Sequence, residues 1–162
     1  MIRPLAESDS LEELTGLLHR AYSVLGAMGF NYTAVDQPVA TTRERAADGE
    51  CWVVVEEGRI VGTAVVALMS AMRDPPGYAA PGMAQVSQFA VDPLLQGKGI
   101  GGRLLRHVEE RARALGATAV ALDTAEGAAH LIRYYEARGY ALAGRVAFPG
   151  KTYASVILSK RL

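Results

Sequence analysis

The chain has one cysteine, Cys51, among its 162 residues. That excludes an internal disulfide and any cysteine-rich metal site. Cys51 sits in an apolar run and reads as a buried, inert thiol. A surplus of one charge is also missing: 17 Lys+Arg balance 17 Asp+Glu, for a formal net charge of +0. Bulk binding to nucleic acid or to a membrane surface relies on a basic field, so neither partner is expected. No apolar run approaches the ~20 residues needed to span a bilayer. The opening residues, MIRPLAESDS, lack the apolar segment of a secretory leader, so the expected location is cytoplasmic. His19, His107 and His130 lie far apart without metal-ligand spacing, and no metal is expected. With no repeats, low-complexity tract or linker-like stretch, residues 1–162 read as one domain.

What remains is an ordinary globular composition, 50% hydrophobic and 21% charged. Ile2 to Leu5 reads as a short strand. From Leu11, the positions Leu14, Leu17, Leu18, Ala21, Tyr22 and Leu25 form a helical stripe that Gly26 and Gly29 should break. Residues 29–38 read as an aromatic, polar loop, and Thr41 to Ala47 as a short helix. CWVVVEE (51–57) and RIVGTAVVALM (59–69) are β-branched runs joined at Glu57-Gly58, a hairpin signal. Residues 70–83 carry three prolines and two glycines and read as loop. A strand is expected over 84–91, a helix over 99–115 closed by Gly116, a strand over 118–123 and a helix over 125–138 closed by Gly139. Strands over 140–147 and 152–159 complete the chain. The fold class is therefore a mixed α/β (α+β) domain, in which antiparallel hairpins flank a central β-α-β unit.

VDPLLQGKGIGG (91–102) holds four glycines within six residues, between a strand and a helix. Free N–H groups and the positive end of the helix dipole make such a loop an anion site, best suited to phosphate. Gly97-x-Gly99-x-x-Gly102 also matches a dinucleotide-binding fingerprint, with Asp123 about 20 residues on, where a ribose-binding acid would stand. Against that reading, Asp92 to Gln96 separate the strand from the glycines, and too few β-α units follow. The P-loop pattern fails because no Lys-Ser/Thr pair follows Gly102.

Gln96-Gly97-Lys98-Gly99-Ile100-Gly101 resembles the pyrophosphate-binding signature of the GNAT superfamily of acyl-CoA-dependent acetyltransferases, (Gln/Arg)-x-x-Gly-x-(Gly/Ala). The surrounding FAVDPLLQGKGIGGRLL is similar to that family throughout, and YYEARGY (134–140) resembles its Tyr-x-x-x-Gly-aromatic segment. The resemblance implies a mostly antiparallel sheet whose central parallel strands splay apart. Pantetheine would lie against the strand before the loop, on main-chain groups of Phe89, Ala90 and Val91. Gln96, Gly97, Lys98, Gly99, Ile100, Gly101 and Gly102 would hold the pyrophosphate of acetyl-CoA.

The implied reaction moves an acetyl group from acetyl-CoA to a primary amine of a small molecule or peptide, by direct attack in a ternary complex. The helical stripe Ala128, Leu131, Ile132, Tyr135 points Tyr135 inward, while Tyr134 falls about 100° round the helix and should be more exposed. The resemblance assigns Tyr135 the protonation of the leaving thiolate and a cofactor contact. Two positions depart from the family. Ala128 stands where many members carry a cofactor-contacting asparagine, and the strand Gln85-Val86-Ser87-Gln88-Phe89 lacks their glutamate base. Gln85 and Gln88 could only hold a water. Asp123 and Glu126 are the nearby proton acceptors, and removal of the amine proton is expected through ordered water with Asp123. Acceptor contacts are expected from Tyr22, Phe30, Asn31, Tyr32, Gln37 and Gln88, with help from loop 70–83 and the hairpin around Phe148. A homodimer is left open. Two rival functions stay alongside: an acyl-CoA-sensing domain without turnover, and a small nucleotide-binding oxidoreductase.

Overall fold

Alternating apolar runs build a seven-stranded sheet in the computed structural model, which describes residues 1–162. Its strands are β1 (Ile2–Pro4), β2 (Glu50–Glu56), β3 (Arg59–Leu68), β4 (Met83–Val91), β5 (Ala119–Ala125), β6 (Ala141–Val146) and β7 (Ser155–Arg161). They lie in the order β1-β2-β3-β4-β5-β7-β6, antiparallel throughout except for β4 beside β5. The helices are α1 (Leu11–Ala27), α2 (Thr33–Asp36), α3 (Val39–Ala46), α4 (Ile100–Ala114) and α5 (Ala129–Glu136).

Alternation along the central strands explains why both faces are covered. Val53 and Val65 face Leu14 and Leu17 of α1, whereas Val54 and Val66 face Leu104, Leu105 and Val108 of α4. The Glu57-Gly58 turn takes positive φ at both residues, 50° and 75°, as a tight two-residue hairpin requires. Ser10 caps α1 by accepting from the Glu13 N–H at 3.1 Å.

The feature that makes a site is the divergence of β4 from β5. They pair only at Met83–Ala119, Ala84–Val120 and Gln85–Ala121. Beyond Gln85, the β3–β4 register slips between Thr63 and Val65, opposite Gln88, whose φ is +49°. A bulge of this kind bends a strand away from its partner. Its strained residue, costing about 1–2 kcal/mol, is held by a buried bond in which Gln37 Nε2 donates to Gln88 Oε1 at 2.9 Å.

Several boundaries differ from the sequence expectation. Helix α1 runs through Gly26 to Ala27, and Gly26 serves close approach: a Cβ there would lie 2.9 Å from Val35 Cγ1. The expected loop 29–38 contains α2. Strand β5 continues past Asp123 to Ala125 because its ladder with β7 runs on to Ala125–Ser155. Helix α5 consequently starts at Ala129 and not at 125.

Candidate active site

A cleft of about 580 Å³ fills the gap between the splayed strands. One wall is the glycine loop. Gly97 and Gly99 have φ of +78° and +81°, and Gly99 is the left-handed residue from which α4 starts. These conformations favour glycine and turn the chain back on itself. None of the N–H groups of residues 97–102 has an acceptor within the protein, so the loop presents free donors at the positive end of a four-turn helix. Asp92 braces the approach: its carboxylate accepts from the Leu94 N–H at 3.0 Å and pairs with Arg20 at 3.2 Å.

The second wall is the freed edge of β4. The Asp92 N–H bonds to the Val61 carbonyl, so residues 90 and 92 turn their main chain to β3. By the two-residue period, Phe89 and Val91 turn theirs to the cleft. Two side chains already reach these carbonyls: Tyr22 donates to Phe89 O at 3.1 Å and Gln96 to Val91 O at 3.2 Å. Each carbonyl keeps a second lone pair for a ligand.

Helix α5 supplies the third wall. Tyr135 is buried among Phe89, Tyr134 and Tyr140, with ring centroids 5.4–6.3 Å away. Its hydroxyl makes no hydrogen bond within the protein, yet it lines the cleft and is not sealed off. Burial, then the neighbouring phenols, push its pKa well above the ordinary value, which keeps the proton in place. Tyr134 is half-buried and not the exposed residue that its helical position suggests. The Arg138 guanidinium lies 3.5 Å over its ring, and its hydroxyl abuts Gly101, where a Cβ would approach to 2.7 Å. Arg138, which the helical wheel places on the outer side, thereby reaches the cleft beside Gly102. Ala128, at the position of the missing asparagine, is fully buried against Leu25 and Ala125.

Asp123 stands on β5 at the far side of the cleft. Burial raises its carboxyl pKa, opposed by a hydrogen bond from Tyr78 and by the charge of Arg45. Tyr78 Oη donates to Asp123 Oδ2 at 2.8 Å, and Gln85 Nε2 donates to Tyr78 Oη at 3.0 Å. Gln85 is therefore committed to positioning Tyr78. Glu126, the other expected acceptor, is exposed and forms a bidentate pair with Arg145 at 3.0 Å. Tyr78 was not legible as a site residue, because it lies in a proline-rich loop without period.

Of the expected donor-site residues, all but Lys98 line the cleft; Lys98 is exposed beside it. At the acceptor end Tyr22 and Tyr32 line it, with Tyr32 Oη bonded to Thr124 Oγ1 and to the Ala125 N–H at 2.7 Å each. Burial pushes the Tyr22 hydroxyl up to about 12. Phe30 and Asn31 stand behind this wall. Phe30 packs edge-on against Tyr32 and Tyr153, and Asn31 ties its loop to Gly150 and Thr152. Tyr153 stacks on Tyr32 at 5.0 Å. Gln88 is buried at the bulge, with its amide nitrogen unpaired, and lies outside the lining. The arrangement is thus a loop of free N–H groups, a strand edge, an unpartnered phenol and a half-buried carboxylate around one cleft. The dinucleotide alternative loses its acid, since Asp123 is engaged with Tyr78 inside a mostly antiparallel sheet. No helix is long and apolar enough to cross a membrane.

Comparison with known proteins agrees with this geometry. The sequence profile of the acetyltransferase (GNAT) family matches residues 11–140. The chain is 32% identical over 160 residues to the S-(2-succino)cysteine N-acetyltransferase of Bacillus subtilis (strain 168), covering 98% of this chain and 94% of the relative. In shape it is similar to the ribosomal-protein-S18-alanine N-acetyltransferase from Escherichia coli, with a TM-score of 0.71, 18% identity and coverage of 99% and 92% of the two chains. It is also similar to the PaiA N-acetyltransferase from Thermoplasma acidophilum in complex with coenzyme A, with a TM-score of 0.75, 15% identity and coverage of 100% and 98%.

Proposed function

Because the chain belongs to the GNAT acetyltransferase family, we propose that it transfers an acetyl group from acetyl-CoA to the primary amine of a small molecule or peptide. The observation that carries the reading is the coexistence, in one cleft, of free N–H donors at residues 97–102 and the unpartnered Tyr135 hydroxyl. The first suits a pyrophosphate and the second a leaving group that must take up a proton.

Acetyl-CoA supplies the activated acetyl group. Residues 97–102 hold its pyrophosphate, with Arg138 adding a cation beside Gly102. The β4 edge at Phe89 and Val91 takes the pantetheine amides in the manner of an added strand. Asp123 accepts the ammonium proton, directly or through a water, and frees the nitrogen lone pair. As the new C–N bond forms and the C–S bond breaks, the cleft-facing N–H of Phe89 offers a donor to the charge on the acetyl oxygen. Tyr135 then gives its proton to the thiolate, and the second proton of the attacking nitrogen leaves to solvent, from which Tyr135 is reprotonated.

The test is a paired measurement with the full chain. Calorimetry should show acetyl-CoA and CoA binding and NAD not binding. Thiol release across an amine panel that includes S-(2-succino)cysteine should then find a turned-over acceptor. Binding of NAD in place of CoA overturns the reading. CoA binding without any turnover across the panel supports the sensing alternative instead.

A further inference from the structure

Two cations stand behind the Tyr32 end of the cleft without a carboxylate of their own. Arg45, on α3, uses one guanidinium nitrogen to donate to Gln37 Oε1 at 2.8 Å. Lys151, in the β6–β7 connection, donates to the Asn31 carbonyl at 2.9 Å and to Thr33 Oγ1 at 3.0 Å. All these acceptors are neutral, and neither cation belongs to any of the molecule's ion pairs. The remaining guanidinium donors of Arg45 have no acceptor in the protein. Both residues are half-buried, so a ligand can still reach them.

Arg45 is joined through Gln37 to Gln88, next to the cleft-lining Phe89, and Lys151 is bonded to the residues on either side of the cleft-lining Tyr32, so both cations stand just behind the same end of the cleft. Lys151 is depressed first by burial and then by Arg45, with Asp36 and Asp123 opposing; Arg45 is depressed by burial, with Tyr22, Asp123, Asp48 and Tyr153 opposing. Two like charges brought together and partly stripped of water cost free energy unless an anion joins them. Neither Asp36 nor Asp123 comes within ion-pair distance of either cation, and Asp48 is already paired with Arg73.

Arg45 is also held in place. Its partner Gln37 is buried, donates to Thr42 Oγ1 at 2.8 Å and to Gln88 at 2.9 Å, and its carbonyl accepts from His19 at 2.8 Å. A network this complete fixes the guanidinium before any ligand arrives, which is how a recognition group gains affinity. It also links Arg45 to the β4 bulge that opens the cleft.

Building on the acetyltransferase reading, we infer that the acceptor is an amine that also carries a carboxylate, as an amino acid does, and that Arg45 and Lys151 bind that carboxylate. Its ammonium group faces Asp123, and its body lies along Tyr22, Tyr32 and Tyr153. A polyamine or an unsubstituted alkylamine brings a second cation, or nothing, to two cations that lack an ion-pair partner.

The test compares α-amino acids and S-(2-succino)cysteine with their methyl esters, and with spermidine. Initial rates in acetyl-CoA are read together with calorimetric binding to the CoA-saturated protein. The free acids should exceed their esters by tenfold or more in kcat/KM and in binding. That preference should collapse toward unity in Arg45→Met and in Lys151→Met, with unchanged CoA binding showing that each variant is folded. Esters or spermidine used as well as the acids, or variants that preserve the preference, overturn the inference. Discrimination in binding without turnover leaves it standing and overturns acetyl transfer, so the two failures are distinct.

Discussion

The Tyr135 hydroxyl supports no internal hydrogen bond, so its removal should leave the fold and the CoA affinity in place. Tyr135→Phe should lower kcat by about 10²–10⁴-fold, the usual scale of a positioned proton donor; calorimetry and steady-state rates on one sample read both. Asp123 gives a pH prediction. Its folded pKa is raised, so its contribution to stability is fully present below the ordinary carboxyl range. That contribution is lost as pH rises through the folded pKa, where the native state must ionise a buried group. Asp123→Asn keeps an acceptor for Tyr78 and should melt no lower than the parent at neutral pH, with a flatter melting temperature across acid pH. In the parent, kcat/KM should climb with pH through that same raised pKa. The substitution should remove the climb and lower the rate about 10²–10⁴-fold. A variant with an unchanged rate and profile shows that the proton leaves by another route.

Among the elements, α4 and its entry loop were the most legible. Its stripe Leu104, Leu105, Val108 and Ala112 is fully buried, and Gly99 takes the positive φ that a glycine start suggests. Gly99→Ala should strain that start by about 1 kcal/mol and weaken CoA binding by tenfold or so, measured by calorimetry beside a urea melt. The Tyr135 stripe was legible too, but the start of α5 was not. Gly127 is the one breaker between Asp123 and Ala128, and the pairing of β5 with β7 is what extends the strand to Ala125. Tyr134 shows the same limit: helical geometry gives an angle, while its burial depends on Gly101 arriving from another part of the chain and on Arg138 folding back over its ring.

At the scale of the whole molecule, the donor site joins the sheet to helices α4 and α5, so ligand binding and global stability are linked. A ligand that binds only the native state at roughly a hundred times its Kd stabilises by about 2.7 kcal/mol. For a domain of this size that is about 5–10 °C in melting temperature. A thermal melt with CoA should show this rise and one with NAD should not. A flat response to CoA contradicts the donor site.

The sequence alone determined the fold class, the glycine loop at the start of α4 and the inward tyrosine, because each rests on local physics. Hydrophobic period sets strand and helix, a glycine at positive φ sets the loop, and helical spacing sets which side of α5 meets the sheet. What only the tertiary structure decided is the acceptor end. Arg45, Tyr78, Asp123, Lys151 and Tyr153 come from four separate segments, and nothing in the spacing of any one segment marks the others. Their meeting depends on the bulge at Gln88 and the parting of β4 from β5, which are properties of strand pairing across the sheet. Charge and burial acquire chemical meaning there only once the chain has closed around the cleft.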